Sequence, residues 1–178
     1  KQMKIALCQI NTTLGDFKYN SDLILSNYAR SLEMGAELVV FPEMAISGYP
    51  AQDLLLNSNF IEYNQNSLEI IKNEIGFIPI VIGTILKENY FLYNSLVVIQ
   101  NKEIIHRYYK QKLPNYDIFD EKRYFQPGLQ GNNNNNYHVV DVLGCKIGFQ
   151  ICEDMWSNPS ITSDQVLKGK AECIINIS

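Results

Sequence analysis

Three polar side chains with complementary chemistry stand at the ends of apolar, strand-like runs in this sequence. Cys152 ends "CKIGFQIC", Glu43 ends "ELVVFPE" and Lys110 ends "EIIHRYYK". In layered α/β domains, ligands gather at strand ends, where loops surround a rigid scaffold. A thiol, a carboxylate and an ammonium that meet there form a consistent chemical set.

This set of groups suits acyl transfer from an amide or a nitrile. A cysteine thiolate is a nucleophile, but the free thiol is mostly protonated at neutral pH. Glu43 can take its proton as a general base, and Lys110 can hold positive charge beside a developing oxyanion. The backbone N–H of Glu153, directly after the cysteine, is a natural second donor to that oxyanion. The sequence therefore predicts a thioester on Cys152 as the intermediate.

Each of these residues also has an ordinary structural interpretation. Free cysteine is among the most buried residue types, so Cys152 alone is more often a core residue than a working thiol. Glu43 suits a helix cap or a solvent-facing position, and Lys110 suits a solvated face. Glu153 and the acid after it suit the start of a helix. A histidine-assisted thiol is the rival chemistry, but His106, which shares a strand face with Lys110, lies in no recognisable motif.

Alternating strand and helix patterns are expected to position these groups. Helical spacing predicts one helix capped by Asn20 or Ser21, a second between Asn57 and Ile75, and a short third near residues 163–170. The alternation of elements predicts an α/β layered domain with a mixed sheet. Apolar patterns predict strands over residues 3–10, 37–43, 79–86, 93–100, 103–110, 137–144, 145–152 and 171–178.

The strand that carries the cysteine has a clear two-residue period. Ile147, Phe149 and Ile151 are predicted to face one way, with Gln150 and Cys152 facing the other.

One long segment has no regular period. Residues 113–128, "LPNYDIFDEKRYFQPG", are rich in aromatic and charged side chains and predict an ordered, functional loop. The asparagine run at 132–136 is of low complexity and predicts a solvated turn, to which we assign no role.

Bulk composition bounds the function classes. At 178 residues, with 46% hydrophobic and 19% charged residues, the chain suits one folded domain. A net charge of −4 and the absence of a Lys/Arg-rich block argue against a nucleic-acid or anionic-membrane partner. No apolar run approaches the roughly 20 residues that span a bilayer. The four cysteines form no CxxC pair, and two histidines give no zinc pattern, so we expect reduced thiols, no metal site and a cytoplasmic location.

Three blocks of the sequence resemble the signatures of a known superfamily. "FPEMAISGYP", "YYKQKLPNYDIFDEKRYFQPG" and "GFQICEDMW" resemble, in order, the three signature blocks of the nitrilase (carbon–nitrogen hydrolase) superfamily. The loop block together with "ICEDMW" is similar to the N-terminal, amide-hydrolysing domain of glutamine-dependent NAD synthetases. The resemblance implies an α-β-β-α sandwich with mixed sheets and a Glu-Lys-Cys triad.

The resemblance assigns roles to individual residues. Glu43 matches the general base and Cys152 the nucleophile. The family motif has lysine, any residue, then usually histidine and leucine, so Lys110 matches the catalytic lysine and Lys112 takes the histidine position. Tyr116 matches a tyrosine that contacts the glutamine substrate.

Two further residues complete the expected site. Glu121 is matched to a second glutamate that many members use to orient the lysine. Glu153 is expected to bind the substrate beside the nucleophile.

The implied function is hydrolysis of glutamine, with ammonia passed to a C-terminal synthetase domain that amidates deamido-NAD. That domain, which would require ATP and Mg, is absent from residues 1–178. The chain stops directly after an apolar strand, so we expect a fragment whose glutaminase domain is incomplete at its C-terminal end, and the activity of the isolated fragment is in doubt. No cofactor is expected in the domain itself. Superfamily members generally assemble through subunit contacts, which implies a homo-oligomer.

Two other interpretations are open on the sequence. One is a stand-alone amidase of the same superfamily that acts on another small amide or carbamoyl compound. The other is a catalytically inactive scaffold that keeps the fold for assembly.

Overall fold

The computed structural model describes residues 2–129 and 137–178. These residues form two β-sheets that pack face to face between helices. The helices are α1 (Phe17–Glu33), α2 (Ser58–Glu74) and α3 (Ile161–Leu167). The strands are β1 (Ile5–Leu7), β2 (Leu38–Val40), β3 (Ile80–Glu88), β4 (Phe91–Gln100), β5 (Glu103–Tyr109), β6 (Val139–Val142), β7 (Cys145–Ile151) and β8 (Cys173–Ile177).

Both sheets are mixed, as the sequence predicted. The first has the order β1-β2-β3-β4-β5, in which β1, β2 and β3 are parallel and β4 and β5 follow as antiparallel hairpin neighbours. The second has the order β6-β7-β8, with β6 antiparallel and β8 parallel to β7. The parallel pairs bring the carboxyl ends of their strands to one edge of each sheet.

Two apolar layers hold the sheets and helices together. One layer packs α1 and α2 against the first sheet and includes Ile24, Ile71 and Ile82. The other lies between the two sheets and includes Val98 and Phe149. With α3 on the outer face of the second sheet, the order of layers is helix, sheet, sheet, helix. The prediction of an α-β-β-α sandwich is confirmed.

The predicted alternation of β7 is confirmed, but it ends one residue earlier than expected. Ile147, Phe149 and Ile151 enter the layer between the sheets, and Gln150 points towards α3, where it donates a 2.8 Å hydrogen bond to Gln165. The strand stops at Ile151, and Cys152 begins a 3₁₀ turn that runs to Trp156. The sequence was wrong to place the cysteine on the outward face of the strand. The turn directs it towards a loop-lined cavity instead.

The first helix begins earlier than the capping pattern predicted. Asp16 is its N-cap and accepts a 3.0 Å hydrogen bond from the Tyr19 N–H. The proposed cap Asn20 lies inside the helix and is fully buried. Its side-chain amide forms hydrogen bonds with the Thr13 backbone and donates one to the Ile46 carbonyl. Its polar group therefore ties the preceding loop to the segment after β2 instead of capping a helix.

The other helices lie close to their predicted positions. α2 fills the interval between Asn57 and Ile75, and the Asn57 side chain accepts hydrogen bonds from the first turn. α3 begins at Ile161, two residues before the predicted range, because Ser160 caps it. The asparagine run at 132–136 lies outside the described residues.

Candidate active site

Glu43 follows β2 in a segment that packs tightly against β3. Its side chain is buried. The Gly83 N–H donates a 3.1 Å hydrogen bond to the Pro42 carbonyl. A Cβ on Gly83 would overlap that oxygen and would lie 2.5 Å from the Met44 nitrogen. The absence of a side chain at Gly83 therefore lets the backbone that carries Glu43 approach the sheet.

Lys110 comes directly after β5 and is held by its own backbone. Its N–H donates to the Asn94 carbonyl at 2.9 Å, and its carbonyl accepts from the Gly128 N–H at 2.8 Å. A Cβ on Gly128 would overlap the Tyr109 carbonyl. The end of the loop at residues 113–128 thus closes onto the backbone just after β5, and Lys110 is fixed between Asn94 and Gly128.

A buried ammonium lies between two carboxylates. Lys110 is 1% exposed, and its Nζ donates hydrogen bonds of 2.8 Å to Glu43 Oε1 and 2.8 Å to Glu121 Oε1. Asn94 Nδ2 donates to Glu43 Oε1 at 2.6 Å and to Glu121 Oε2 at 3.4 Å. The three predicted residues Glu43, Lys110 and Glu121 are therefore brought together, while Lys112 lines a neighbouring cavity.

The charges of this group determine which member can carry a proton. Burial opposes the charged form of Lys110, but the carboxylates of Glu43 and Glu121 outweigh it and raise the lysine pKa. Burial also raises the pKa of Glu121, against the opposing effect of Lys110. Lys110 therefore remains protonated at neutral pH and serves as a fixed positive charge rather than a base.

Cys152 occupies a sharp turn between β7 and the 3₁₀ turn. Its φ is +46°, a left-handed conformation that is uncommon for a residue with a side chain. Burial raises the pKa of its thiol; the nearby Glu43 carboxylate raises it further, and Lys110 and a hydrogen bond from the Glu153 N–H lower it. The resting group is therefore a thiol, which needs a base before it can attack a substrate.

One cavity joins the thiol to the carboxylate. Glu43 and Cys152 both line a space of about 350 Å³, with Tyr49 and Phe119 on its walls. Burial, and then the charges of Glu121 and Glu43, raise the pKa of Tyr49 to about 12, so its hydroxyl keeps its proton. The cavity offers a substrate a nucleophile, a base and a neutral hydroxyl.

Tyr116 and Glu153, the two predicted substrate contacts, lie at a neighbouring cavity. The Tyr116 hydroxyl donates a 2.9 Å hydrogen bond to Glu153 Oε2. Both line a space of about 680 Å³ together with Lys112 and Lys122. Because Glu153 follows Cys152 in the chain, the two cavities flank the same turn.

Several residues at the site were not found from the sequence. Asn94, Gly83 and Gly128 act through contacts with residues far away in the chain, and no local pattern marks them. Tyr49 offered a weak signal, since it lies in the "SGYP" that follows "FPEMAI".

No three His, Cys, Asp or Glu side chains in the described parts of the chain are grouped so that they could bind a metal ion. None of the helices within residues 2–129 and 137–178 is long and apolar enough to cross a membrane.

Comparison with known proteins gives a consistent result. The carbon–nitrogen hydrolase family matches residues 4–178. A glutamine-dependent NAD(+) synthetase of Acinetobacter baylyi is 35% identical over 100% of this chain and 32% of its own length. The solved structure of a glutamine-dependent NAD+ synthetase from Acinetobacter baumannii is 32% identical, with a TM-score of 0.88 over 99% of this chain and 32% of that one. The chain thus spans about a third of the length of these relatives.

A nitrilase-superfamily amidase from Nesterenkonia shares the fold. It has a TM-score of 0.81 over 98% of this chain and 64% of that chain, at 23% identity.

Proposed function

Because the chain belongs to the carbon–nitrogen hydrolase family, we propose that it hydrolyses the side-chain amide of glutamine through a thioester on Cys152. One observation carries the proposal. Glu43 and Cys152 line the same cavity, and Lys110 Nζ, buried beneath it, donates a 2.8 Å hydrogen bond to Glu43 Oε1. Such an arrangement supplies a nucleophile, a proton acceptor and a positive charge, as amide hydrolysis at neutral pH requires.

The first half of the reaction forms the thioester. Glu43 takes the thiol proton as the Cys152 sulfur attacks the amide carbon of glutamine. Negative charge then develops on the amide oxygen, where the Lys110 ammonium and the Glu153 N–H stabilise it. Collapse of the tetrahedral intermediate breaks the C–N bond, and Glu43 returns the proton to the leaving nitrogen, which departs as ammonia.

The second half releases glutamate. Glu43 takes a proton from a water molecule, and the resulting hydroxide attacks the thioester carbon. The same charges stabilise the second oxyanion. When the C–S bond breaks, the proton on Glu43 passes to the Cys152 sulfur, and the carboxylate and thiol return to their starting states.

The charges of the neighbouring cavity suit an α-amino acid. Glu153 is available for an ammonium group, and Lys112 and Lys122 for a carboxylate. We assign the Tyr116 hydroxyl, which already donates to Glu153, to the same end of the substrate. The names of the relatives, glutamine-dependent NAD(+) synthetases, support glutamine as that amino acid.

The larger role rests on the same relatives. We assign residues 1–178 to the glutaminase part of a polypeptide whose synthetase domain uses ATP and Mg to amidate deamido-NAD with the released ammonia. The chain covers 32% of the Acinetobacter baylyi relative, which is consistent with such a division. A cytoplasmic location and a homo-oligomeric assembly belong to this proposal as well.

The decisive experiment replaces the proposed nucleophile. Cys152→Ala should lower the rate of glutamate and ammonia release from glutamine by at least about a thousandfold. Cys145→Ala, which removes another half-buried thiol, is the matched control and should keep the wild-type rate. A γ-glutamyl adduct on Cys152, detected by mass spectrometry after rapid quenching, should be present in the control and absent from Cys152→Ala.

Two outcomes would contradict the proposal. Glutamine hydrolysis that survives in Cys152→Ala rules out the thioester. Faster hydrolysis of another small amide rules out glutamine as the preferred substrate. In a polypeptide that includes the synthetase domain, Cys152→Ala should stop glutamine-driven NAD synthesis and leave ammonia-driven synthesis intact.

A further inference from the structure

A fully buried carboxylate connects the two segments that carry Cys152 and Lys110. Asp154 is 0% exposed and accepts four hydrogen bonds. One oxygen accepts from the Gln111 N–H at 3.0 Å and the Lys112 N–H at 2.8 Å. The other accepts from the Tyr108 hydroxyl at 2.7 Å and the Ile151 N–H at 3.2 Å.

Asp154 and its four donors bracket both reactive side chains. Tyr108 and Gln111 stand on either side of Lys110, and Ile151 and Asp154 stand on either side of Cys152. The two segments are separated by about forty residues of sequence, since the contacts to Tyr108 and Lys112 span 46 and 42 positions. A single side chain therefore links the turn of the nucleophile to the backbone on both sides of the lysine by hydrogen bonds.

The turn at Cys152 requires such a restraint. Its left-handed φ of +46° is unfavourable for cysteine and persists only where surrounding contacts impose it. The hydrogen bond from the Ile151 N–H to Asp154 closes the chain around Cys152. Glu153, whose N–H lowers the pKa of the Cys152 thiol, lies within the same closure.

We propose that Asp154 is a positioning residue, which holds the Cys152 sulfur and the Glu153 N–H in register with Lys110, and that the rate of thioester formation depends on it. This inference rests on the proposed thioester chemistry. Asp154 touches neither the cavity of the thiol nor its neighbour, so it acts only through the segments that it joins.

The chemistry of the four partners explains why the residue is an aspartate. All four partners are donors, and a carboxylate is the one side chain of this size that accepts at both ends. An asparagine of the same shape would turn an NH₂ group towards two of those donors. Asp154→Asn therefore loses the two hydrogen bonds at one of its oxygen positions, while the volume of the side chain is preserved.

The test compares Asp154→Asn and Tyr108→Phe with Tyr28→Phe. Tyr28 is buried, and its hydroxyl donates a 2.6 Å hydrogen bond to the Ile78 carbonyl, far from the site. Tyr28→Phe is therefore a matched control, because it too removes one hydrogen bond of a buried tyrosine hydroxyl. The readout is alkylation by iodoacetamide as a function of pH, measured by mass spectrometry of digested peptides. The Cys145 peptide in the same digest reports any general loosening of the fold.

We expect the pH midpoint of Cys152 alkylation to rise and its rate at neutral pH to fall on the order of tenfold in Asp154→Asn, with Cys145 unchanged. The charges of Glu43, Lys110 and Glu121, which act on the thiol, remain in every variant. Asp154→Asn also removes a negative charge, which by itself would lower the midpoint. Tyr108→Phe keeps that charge, so a rise in both variants reports the lost hydrogen bonds. Tyr108→Phe should show a smaller change in the same direction, and Tyr28→Phe none. With glutamine, kcat of Asp154→Asn should fall between about tenfold and about 100-fold while KM stays within about threefold.

A Cys152 midpoint that stays or falls, or a parallel change at Cys145, would overturn the inference. If Asp154→Asn does not fold, Tyr108→Phe decides, because it removes one of the four bonds. If the wild-type protein fails to hydrolyse glutamine, the proposed function fails, but the alkylation measurements still decide whether Asp154 positions the thiol.

Discussion

At the scale of single residues, the proposed reaction divides three tasks among three side chains. Lys110 is locked between two carboxylates and keeps its proton, so it supplies charge. Cys152 rests as a thiol whose pKa is raised by burial, so it supplies a nucleophile only on demand. Glu43 accepts a hydrogen bond from the lysine and lines the cavity of the thiol, so in the proposed reaction it links proton transfer to attack.

The two neighbouring lysines should respond differently to removal. Lys110→Ala leaves Glu43 and Glu121 buried without their cation, so it should destabilise the fold by about 3–5 kcal/mol and abolish the γ-glutamyl adduct. Lys112→Ala should leave adduct formation at saturating glutamine intact and raise KM, since its side chain lines the neighbouring cavity. Urea unfolding and single-turnover mass spectrometry measure the two effects. Loss of the adduct in Lys112→Ala alone would mean that the catalytic lysine has been misassigned.

At the scale of elements, the site depends on loops that close onto strand ends. The segment after β2 lies against β3 at Gly83, and the loop after β5 returns to Lys110 at Gly128. Neither contact tolerates a Cβ without movement of the backbone. Two glycines therefore set how deeply Glu43 and Lys110 sit beneath the cavity.

A methyl group at Gly83 should move Glu43. Gly83→Ala places a Cβ onto backbone atoms of Pro42 and Met44, which should cost about 1–3 kcal/mol of stability and lower the rate of glutamine hydrolysis. Gly76→Ala is the matched control, because a Cβ there meets nothing within 4 Å, and its unfolding free energy should change by less than about 0.5 kcal/mol. Urea denaturation and steady-state kinetics test both. Equal behaviour of the two variants would show that the close approach at Gly83 has no part in the site.

Sequence periodicity predicted the elements well because it reports which face is buried. The alternation of β7 predicted the layer between the sheets, and the helical spacing between Asn57 and Ile75 predicted α2. The same periodicity placed Cys152 on the strand, because the turn that removes it depends on Asp154 and its distant donors. Contacts between segments far apart in the chain leave no local pattern, and therefore Asn94 was missed as well.

At the scale of the whole molecule, the packing of one sheet on the other buries two imidazoles. His106 lies on β5 in the first sheet and His138 just before β6 in the second, with ring centroids 6.0 Å apart. The ring of Phe149 is 5.7 Å from His106. Burial, and then the proximity of His138 and Arg107, lower the pKa of His106 to about 4. Burial lowers the pKa of His138 too. A proton on either ring would place a charge between the sheets.

The fold should therefore lose stability in acid through His106. Its unfolded pKa is 6.5 and its folded pKa about 4, so the unfolded chain binds the proton first as the pH falls through this interval. The contribution of the neutral His106 ring to the free energy of unfolding is fully present above about pH 6.5. It declines by on the order of 3 kcal/mol by about pH 4 and is constant below that pH. Glu121 and Asp154, whose pKa values burial raises, act in the opposite sense. The measurement is therefore the difference in unfolding free energy between wild type and His106→Phe, which keeps the ring against Phe149. Between pH 7 and pH 4, wild type should lose on the order of 3 kcal/mol of unfolding free energy relative to His106→Phe. A difference that does not depend on pH would show that the pKa of His106 is the same in the folded and unfolded chain.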